Sequence, residues 1–338
     1  LRSGSDIVID GLGSTNGVFV NGERVSRRSI GPNEKVLIGS FEIRVDPAGG
    51  VQVFDVRSKA RIDAVAITRD IGSLRLLDDI SLTIQPNEFV GLLGPSGAGK
   101  SMLMTAPNGV WPATSGRVYI NNLDLYSHID SLKQSIGYVP QDDIIHRELT
   151  VYRTLYYVAK LRLSRDVSPA EIERTIEDVL DVTGLTERRE VPVSQLSGGQ
   201  RKRVSIAVEL ITKPSIIFLD EPTSGLDPAT EEKIMRLFRQ IAASGRTVVL
   251  TTHAMENVSL VDKIVVLMSG RLVFFGPPAD ALKHLGAANY KELFDKLEAP
   301  IEAGVRANGE KARASITGET AEKWRKSLRS APQYAEYI

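Results

Sequence analysis

The sequence of 338 residues contains no cysteine. Disulfide bonds, thiolate zinc sites and cysteine nucleophiles are therefore excluded, and a reducing compartment is permitted. Long apolar runs are absent too, since a run such as 264–268 is far shorter than the roughly 18 residues that a membrane-spanning helix needs. We therefore expect no segment of this chain to cross a bilayer.

The chain also lacks an excess of either charge, because 42 Lys and Arg residues balance 42 Asp and Glu residues. No net field then attracts nucleic acid or anionic lipid, so nucleic acid is not an expected partner. The length predicts about two domains with at least one sizeable core. The chain begins at Leu1 without a signal-like segment, and we expect it to be a fragment of a longer protein.

A glycine-rich loop of the form G-x-x-x-x-G-K-S directly follows the apolar run 89–93. Glycine lets the backbone approach a polyphosphate closely, and the consecutive N–H groups of such a loop bind its oxygens. Lys100 is expected to reach the β- and γ-phosphates, and Ser101 to bind Mg²⁺. The predicted nucleotide-binding residues are Gly94, Pro95, Ser96, Gly97, Ala98, Gly99, Lys100, Ser101 and the following Met102.

Another apolar run, 215–219, ends in two adjacent carboxylates, Asp220 and Glu221. Two charges at the end of a buried strand are costly unless a cation or a proton donor uses them. We assign Asp220 to Mg²⁺ and Glu221 to the base that activates the attacking water. An isolated Asp-Glu pair is more often a solvated turn, but the upstream phosphate loop favours the catalytic interpretation.

Short continuous apolar runs such as 247–250, with helical stretches between them, are typical of parallel strands that are covered on both faces. The predicted fold class is therefore α/β with a mostly parallel core sheet. A capping box at Ser168 begins a helix within a helix-rich insert, and Pro107 is expected to shorten or kink the helix after Lys100. The polar segment 303–320 is expected to be partly disordered.

Residues 1–46 alternate short β-rich runs with turns, so this part is predicted to be all-β. The dipeptide Asn21-Gly22 predicts a type I′ hairpin because both residues tolerate a positive φ. The stretch 13–22, together with 36–39, resembles the second half of a forkhead-associated (FHA) domain, a family that reads phosphothreonine peptides.

In that family, an Arg and a Ser from the first half of the domain grip the phosphate, and this chain lacks that half. The resemblance implies that phosphothreonine peptides bind the complete domain and that Asn16 contacts the peptide backbone. The alternative is a β-sandwich remnant with no binding activity. We expect this chain alone not to bind such peptides, and tight, phosphate-dependent binding in titration calorimetry would contradict that expectation.

The stretch 196–200, Leu-Ser-Gly-Gly-Gln, precedes a predicted helix and forms another glycine-rich helix N-terminus that is suited to anions. With it, residues 62–285 resemble the ATPase domain of ABC transporters. The motifs that carry the resemblance occur in the order of the family: 94–101, Gln141, 196–200, 219–222, 224–227 and His253. The segments 201–206 and 222–227 are most similar to the G subfamily of half-transporters and to bacterial ABC-2 relatives that carry FHA domains.

The resemblance implies a P-loop NTPase that hydrolyses ATP, with ATP and Mg²⁺ as cofactors. Its catalytic residues would be Glu221, His253, Gln141 and Lys100. Its metal-binding residues would be Ser101, Gln141 and Asp220. Gln141 would sense the γ-phosphate while touching the membrane partner, and His253 would contact the γ-phosphate.

The same resemblance implies that two copies of the domain bind two ATP molecules head to tail. Ser197, Gly198, Gly199 and Gln200 would cap the nucleotide of the opposite subunit. Asp227 would help to couple the two sites. The expected partners are therefore a second copy, in a homodimer, and the transmembrane domain of the same parent chain.

The turn-forming residues at 46–50 predict a linker. Together with the two resemblances, this divides the chain into four parts: a partial FHA-like domain (1–46), a linker (47–61), the ABC ATPase domain with its β-subdomain and helical subdomain (62–285, the helical part about 145–195), and a helical, polar segment that leads toward a transmembrane domain (286–338). We expect the fragment itself to be soluble and to lie at the cytoplasmic face of the membrane.

Three departures from the family pattern bear on nucleotide affinity. Ile71 stands where family members stack an aromatic on adenine, Met102 replaces a threonine that touches a phosphate, and Pro107 disturbs the same helix. Weak base stacking and similar affinities for ATP and GTP are therefore expected. The basic run 201–203 is interpreted mainly as a solvated patch.

Two other interpretations remain open. A soluble ABC ATPase of DNA repair or translation is the first, but repair relatives insert long coiled coils where only 55 positions separate Gln141 from Leu196. Translation relatives carry two cassettes in one chain, and this chain has one. A phosphopeptide-binding scaffold with an ATP switch is the second, and the presence of Glu221 and His253 argues against it.

Overall fold

The computed structural model describes residues 2–3, 6–11, 17–32, 34–38, 41–46, 50–55, 60–252 and 257–337. Its strands are β1 (Arg2–Ser3), β2 (Asp6–Asp10), β3 (Val18–Val20), β4 (Glu23–Val25), β5 (Arg27–Ile30), β6 (Lys35–Ile38), β7 (Phe41–Val45), β8 (Val51–Asp55), β9 (Ile62–Ile71), β10 (Leu74–Ile84), β11 (Phe89–Leu93), β12 (Ser115–Ile120), β13 (Leu123–Asp124), β14 (Ile136–Val139), β15 (Ile216–Leu219), β16 (Thr247–Thr251), β17 (Lys263–Met268) and β18 (Arg271–Gly276). Its α-helices are α1 (Lys100–Thr105), α2 (Ile129–Leu132), α3 (Val151–Arg162), α4 (Pro169–Thr183), α5 (Gly198–Leu210), α6 (Pro228–Ala243), α7 (Pro278–Leu285), α8 (Tyr290–Asn308), α9 (Arg313–Ser330) and α10 (Pro332–Tyr337).

The central layer is a six-stranded sheet in the order β14-β15-β16-β11-β17-β18. Neighbouring strands are parallel except for β17 and β18, so the prediction of a mostly parallel core sheet is confirmed. Every residue of β11, β15 and β16 is buried, as expected of strands covered on both faces. Because the carboxyl ends of parallel strands share one edge, the segments after β11 and β15 lie on the same side of the sheet.

A four-stranded antiparallel sheet, in the order β10-β9-β12-β13, forms the β-subdomain beside this layer. Its strands β9 and β10 make a long hairpin, with Leu74 opposite Ile71 at the tip. The apolar patterns in the sequence predict strands at 62–68 and 80–84, whereas β9 continues to Ile71 and β10 begins at Leu74. The additional residues bring the hairpin tip to the phosphate loop, because both Ile71 and Leu74 line the same cavity as Ser96.

The N-terminal residues form two small antiparallel sheets, β1-β2-β5 and β4-β3-β6-β7-β8. The predicted hairpin is confirmed, since Asn21 and Gly22 have φ values of 52° and 89° and join β3 to β4. These two sheets form the N-terminal β-unit, which extends beyond the predicted domain end at residue 46. β8 pairs with β7 within the five-stranded sheet, so 51–55 is not part of a linker.

Asp46 and Gly50, two of the turn-forming residues that predict a linker, are instead hydrogen-bonded to each other at the end of the β7–β8 hairpin. The amide of Asp46 donates to the carbonyl of Gly50 at 2.9 Å, and the amide of Gly50 donates to Asp46 Oδ1 at 2.7 Å. Part of the FHA-like motif, residues 13–16 and 39, lies outside the described residues, and this part includes Asn16.

The helical insert is built largely as its sequence indicates. Ser168 and Glu171 cap α4 reciprocally, and Gly184 ends it in the left-handed conformation at φ 64°. Helix α1 ends at Thr105, two residues before Pro107, so the predicted shortening is confirmed. None of the described helices is long and apolar enough to cross a bilayer.

The expectation of partial disorder in 303–320 is wrong, because this segment is covered by α8 and α9. Leu328 and Ala321 of α9 are buried against the core. Two ion pairs join the same helix to β10, Arg325 with Asp78 at 3.2 Å and Arg329 with Asp79 at 2.7 Å. Tertiary packing therefore stabilises a helix whose composition is too polar to suggest it.

Candidate nucleotide site

The phosphate loop follows β11 and continues into α1. Gly94, Gly97 and Gly99 have φ values of 149°, 74° and 100°, which side chains other than glycine rarely adopt. At Gly94 the space is closed as well, since an added Cβ would lie 2.3 Å from the carbonyl oxygen of Leu267. The glycines of the motif are therefore required by the shape of the loop before any ligand is considered.

Lys100 lies inside this loop and is only 6% exposed. Its Nζ donates to the carbonyl of Gly94 at 2.8 Å and to that of Pro95 at 3.1 Å. Burial lowers the pKa of the ammonium group, and the nearby Glu221 and Asp220 carboxylates oppose that shift. The loop thus holds one cation in a position that suits a polyphosphate.

A cavity of about 570 Å³ opens beside the loop. It is lined by Ile71, Leu74, Arg75, Leu76, Ser96, Gly97, Ala98, Gly99, Lys100, Ser101, Met102, Trp111, Glu221, Ser269 and Gly270. The structure therefore brings the predicted phosphate loop, Ile71 and Glu221 together around one space of a size that is typical of ligand sites. Leu74, Arg75 and Trp111 are lining residues that the sequence did not single out.

Asp220 is 8% exposed and lies at the end of β15. Its Oδ1 accepts hydrogen bonds from Ser101 Oγ at 3.2 Å and from Thr251 Oγ1 at 2.7 Å. One carboxylate beside one hydroxyl fits Mg²⁺, which proteins usually hold through one or two carboxylates while substrate phosphates and water supply the other oxygens. Within the described residues there is no group of three or more His, Asp or Glu side chains that would hold a metal by itself.

Glu221 follows Asp220 in a strained conformation, with φ at 42°. Its amide donates to Thr251 Oγ1 at 2.7 Å, so a single threonine hydroxyl contacts both adjacent acids. Its carboxylate accepts a hydrogen bond from Gln141 Nε2 at 3.1 Å. The predicted base and the predicted γ-phosphate sensor are therefore in direct contact. His253 lies outside the described residues.

The glycine-rich segment at the start of α5 lies elsewhere. Ser197 and Gln200 cap each other across the first turn of the helix, and a Cβ on Gly199 would lie 2.4 Å from Thr230 Cγ2. Asp227 caps α6 by accepting from the amide of Thr230 at 3.0 Å, and hydrogen bonds from Thr230 lower its pKa. The cavity beside the phosphate loop is not lined by the predicted capping residues 197–200 of the same chain, nor by Asp227.

A family model described as "ABC transporter" matches residues 77–224. The linearmycin resistance ATP-binding protein LnrL of Bacillus subtilis is 32% identical over 233 residues, which are 69% of this chain and 74% of that protein. The chain belongs to the ABC transporter family. It contains the ATP-binding domain of that family, an ABC ATPase.

Longer relatives match as well. The ABC transporter ATP-binding/permease protein Rv1747 of Mycobacterium tuberculosis is 37% identical over 286 residues, 83% of this chain and 33% of the relative. ABC transporter G family member 21 of Arabidopsis thaliana is 37% identical over 224 residues, 64% of this chain and 33% of the relative. This chain thus spans about a third of the length of these two relatives.

Among solved structures, the ATP-binding cassette MJ0796, a dimer in a post-hydrolysis state bound to ADP and Pi, matches with a TM-score of 0.57 and 29% identity. The match covers 64% of this chain and 98% of the cassette. The α/β fold of the ABC ATPase is therefore confirmed for this part of the chain.

The basic run at the start of α5 is not a solvated patch. Lys202 is 5% exposed, and its Nζ donates to the carbonyl of Gln141 at 2.9 Å and pairs with Asp143 Oδ1 at 3.1 Å. Arg201 donates to the carbonyl of Leu196, and Arg203 to that of Thr183. The sequence interpretation is wrong because three adjacent helical residues point in different directions, and here each of them meets a carbonyl group.

We expect Lys202→Met to disturb the Gln141 segment of the ABC ATPase. The substitution breaks an ion pair whose lysine is buried and whose aspartate is partly buried, which costs about 3 kcal/mol of unfolding free energy. It also removes the hydrogen bond from Lys202 to the carbonyl of Gln141. The catalytic rate constant kcat should fall roughly tenfold or more, while the dissociation constant for ATP changes less. Urea unfolding and steady-state ATPase kinetics measure the two effects separately.

The pair Lys202→Met with Asp143→Leu separates positioning from stability. Replacing both partners with apolar groups should recover much of the lost unfolding free energy but not kcat. Lys213→Met is the matched control, because Lys213 is more exposed and its ion pair with Asp178 has the longer distance of 3.7 Å. A kcat that recovers with stability in the double variant would contradict a positioning role.

Proposed function

We propose that this chain is the ATP-hydrolysing domain of a membrane ABC half-transporter and that it acts as a homodimer. The observation that carries the proposal is the contact between Glu221 and Gln141 at the cavity of the phosphate loop. A carboxylate in this position, beside a buried lysine and a metal-compatible aspartate, suits transfer of a phosphoryl group to water.

In this proposal the phosphate loop holds the triphosphate with its backbone amides, and Lys100 turns from the carbonyls of Gly94 and Pro95 to the phosphate oxygens. Ser101, Asp220 and Gln141 would hold Mg²⁺, which neutralises phosphate charge when bound. Glu221 would accept a proton from the attacking water. Gln141 would orient that water, and His253 would contact the γ-phosphate.

The separation of the two glycine-rich helix N-termini supports the proposed homodimer. The cavity beside the phosphate loop is open to solvent, and residues 197–200 of the same chain do not line it. A second copy placed head to tail would supply Ser197, Gly198 and Gly199 to this nucleotide and would receive the equivalent residues in return. Asp227, which caps α6 by accepting from the amide of Thr230, the residue whose side chain lies beside Gly199, would then connect the two sites.

The transport role rests on the family and on the longer relatives. Rv1747 is named an ATP-binding/permease protein, and the chain matches a third of its length. We propose that the ATPase lies at the cytoplasmic face of a membrane, bound to the transmembrane domain of the same parent chain. The N-terminal β-unit is proposed to be part of an FHA module that reads phosphothreonine peptides when complete.

The natural coding sequence on either side of this chain tests the transporter assignment. We expect several apolar runs of about 20 residues, each long enough to span a bilayer. A gene product with no such run and no membrane-spanning partner would favour a soluble ABC ATPase instead.

The proposed homodimer has a kinetic test. A rate of Mg²⁺-dependent ATP hydrolysis that rises faster than linearly with protein concentration would support the homodimer.

A further inference from the structure

The cavity extends past the phosphate loop toward the tip of the β9–β10 hairpin, where three large apolar side chains line it beside Arg75. Ile71 is 48% exposed, Leu74 is 62% exposed and Trp111 is 47% exposed, and all three line this one space. Large apolar side chains that are exposed together in a cavity indicate a surface for a ligand. This region lies beyond the groups that would bind phosphates.

Trp111 is exposed, but the loop that carries it is held in place. Its own amide donates to the carbonyl of Thr105 at 3.1 Å. The hydroxyl of Tyr126 accepts from the amide of Ala113 at 3.0 Å and donates to the carbonyl of Ala106 at 3.2 Å. The amide of Thr114 donates to the carbonyl of Thr68 in β9 at 2.8 Å. The loop that carries Trp111 connects α1 to β12, and these bonds hold it against the end of α1 and against β9. The Trp111 ring is therefore already positioned for a planar ligand.

We propose that Trp111 is the aromatic platform for the purine base of a nucleotide whose phosphates lie in the phosphate loop, with Ile71 and Leu74 completing the apolar lining. The inference rests on the proposed ATP-binding function. It replaces the expectation of weak base stacking that follows from Ile71 alone, because the aromatic ring comes from a different loop. Stacking is tolerant of base identity, so ATP and GTP should still bind with similar affinity.

The test compares ATP with inorganic tripolyphosphate, which has the phosphates but no base. In titrations with excess Mg²⁺, Trp111→Ala should weaken ATP binding roughly five- to a hundredfold and leave tripolyphosphate binding unchanged. Trp111→Phe should retain most of the ATP affinity. Trp324→Phe is the matched control, because Trp324 belongs to α9 and packs against the core.

The same control provides an independent readout. The chain has only two tryptophans, so the Trp324→Phe protein reports on Trp111 alone. Its fluorescence should be quenched by ATP and not by tripolyphosphate. This measurement does not depend on whether Trp111→Ala folds.

The possible failures are distinguishable. If ATP binds Trp111→Ala as tightly as the unmodified protein, or if bound ATP does not quench the Trp111 fluorescence, the proposed role of Trp111 is overturned. Neither result bears on the proposed function. If the unmodified protein binds neither ATP nor tripolyphosphate, the proposed function is overturned, and the base platform with it.

Discussion

Glu221→Gln is expected to reduce steady ATP hydrolysis by at least about a hundredfold while leaving ATP affinity within about twofold. The amide has the size of the carboxylate but cannot accept the proton of the attacking water. The backbone contact to Thr251 is retained, so the strained turn after Asp220 should persist. Phosphate release at saturating ATP and Mg²⁺ measures the rate, and a fluorescent-nucleotide titration measures the affinity.

Glu232→Gln is a suitable control for that experiment. Glu232 lies on α6, where it pairs with Arg236 in an exposed i,i+4 contact that contributes little to stability. Its substitution should leave both the rate and the affinity unchanged. If Glu221→Gln hydrolyses ATP at the unmodified rate, the assignment of Glu221 as the base is wrong.

Gly94→Ala is expected to weaken ATP binding by roughly a hundredfold or more. Its Cβ would lie 2.3 Å from a backbone oxygen, that of Leu267, so the phosphate loop itself must move. Lys100 moves with it, because its Nζ is bonded to the carbonyl of Gly94. Losing two hydrogen bonds to phosphate of about 1.5 kcal/mol each is enough for a hundredfold effect.

Gly309→Ala isolates the conformational part of that effect. Gly309 also has a positive φ, 82°, but an added Cβ there would contact nothing within 4 Å. Both substitutions should lower the free energy of unfolding by about 1 kcal/mol, and with it the melting temperature, because alanine is strained at a positive φ. Only Gly94→Ala should lose nucleotide binding, and equal ATP affinities in the two variants would show that the fit of the loop against Leu267 is not required.

Much of the fold could be predicted because its signals are local. The capping box at Ser168, the Asn21-Gly22 turn and the short helix before Pro107 each depend on a few adjacent residues. The extent of the β-unit depends on pairing between strands. Asp46 and Gly50 suit a linker and a hairpin turn equally well, so only the pairing of β8 with β7 shows which of the two they form.

The candidate site also combines contiguous motifs, which could be predicted, with contacts between distant segments, which could not. The phosphate loop, Asp220 and Glu221 are contiguous motifs, and the structure brings them to one edge of the sheet. Lys202 was misinterpreted because its partner Asp143 lies in another segment and nothing in the sequence marks the pair. Trp111 was overlooked because its position depends on hydrogen bonds from its loop to Tyr126 and to β9.

Sedimentation velocity of the Glu221→Gln protein with Mg²⁺-ATP tests the proposed homodimer, because it detects the second copy that the shared nucleotide site would require. We predict a monomer without nucleotide and a dimer with two bound ATP molecules when ATP is saturating. We also predict that adding Ser197→Arg, which places a bulky side chain at the proposed interface, keeps the ATP-bound protein monomeric. A Glu221→Gln protein that is saturated with ATP and remains a monomer would contradict the shared nucleotide site.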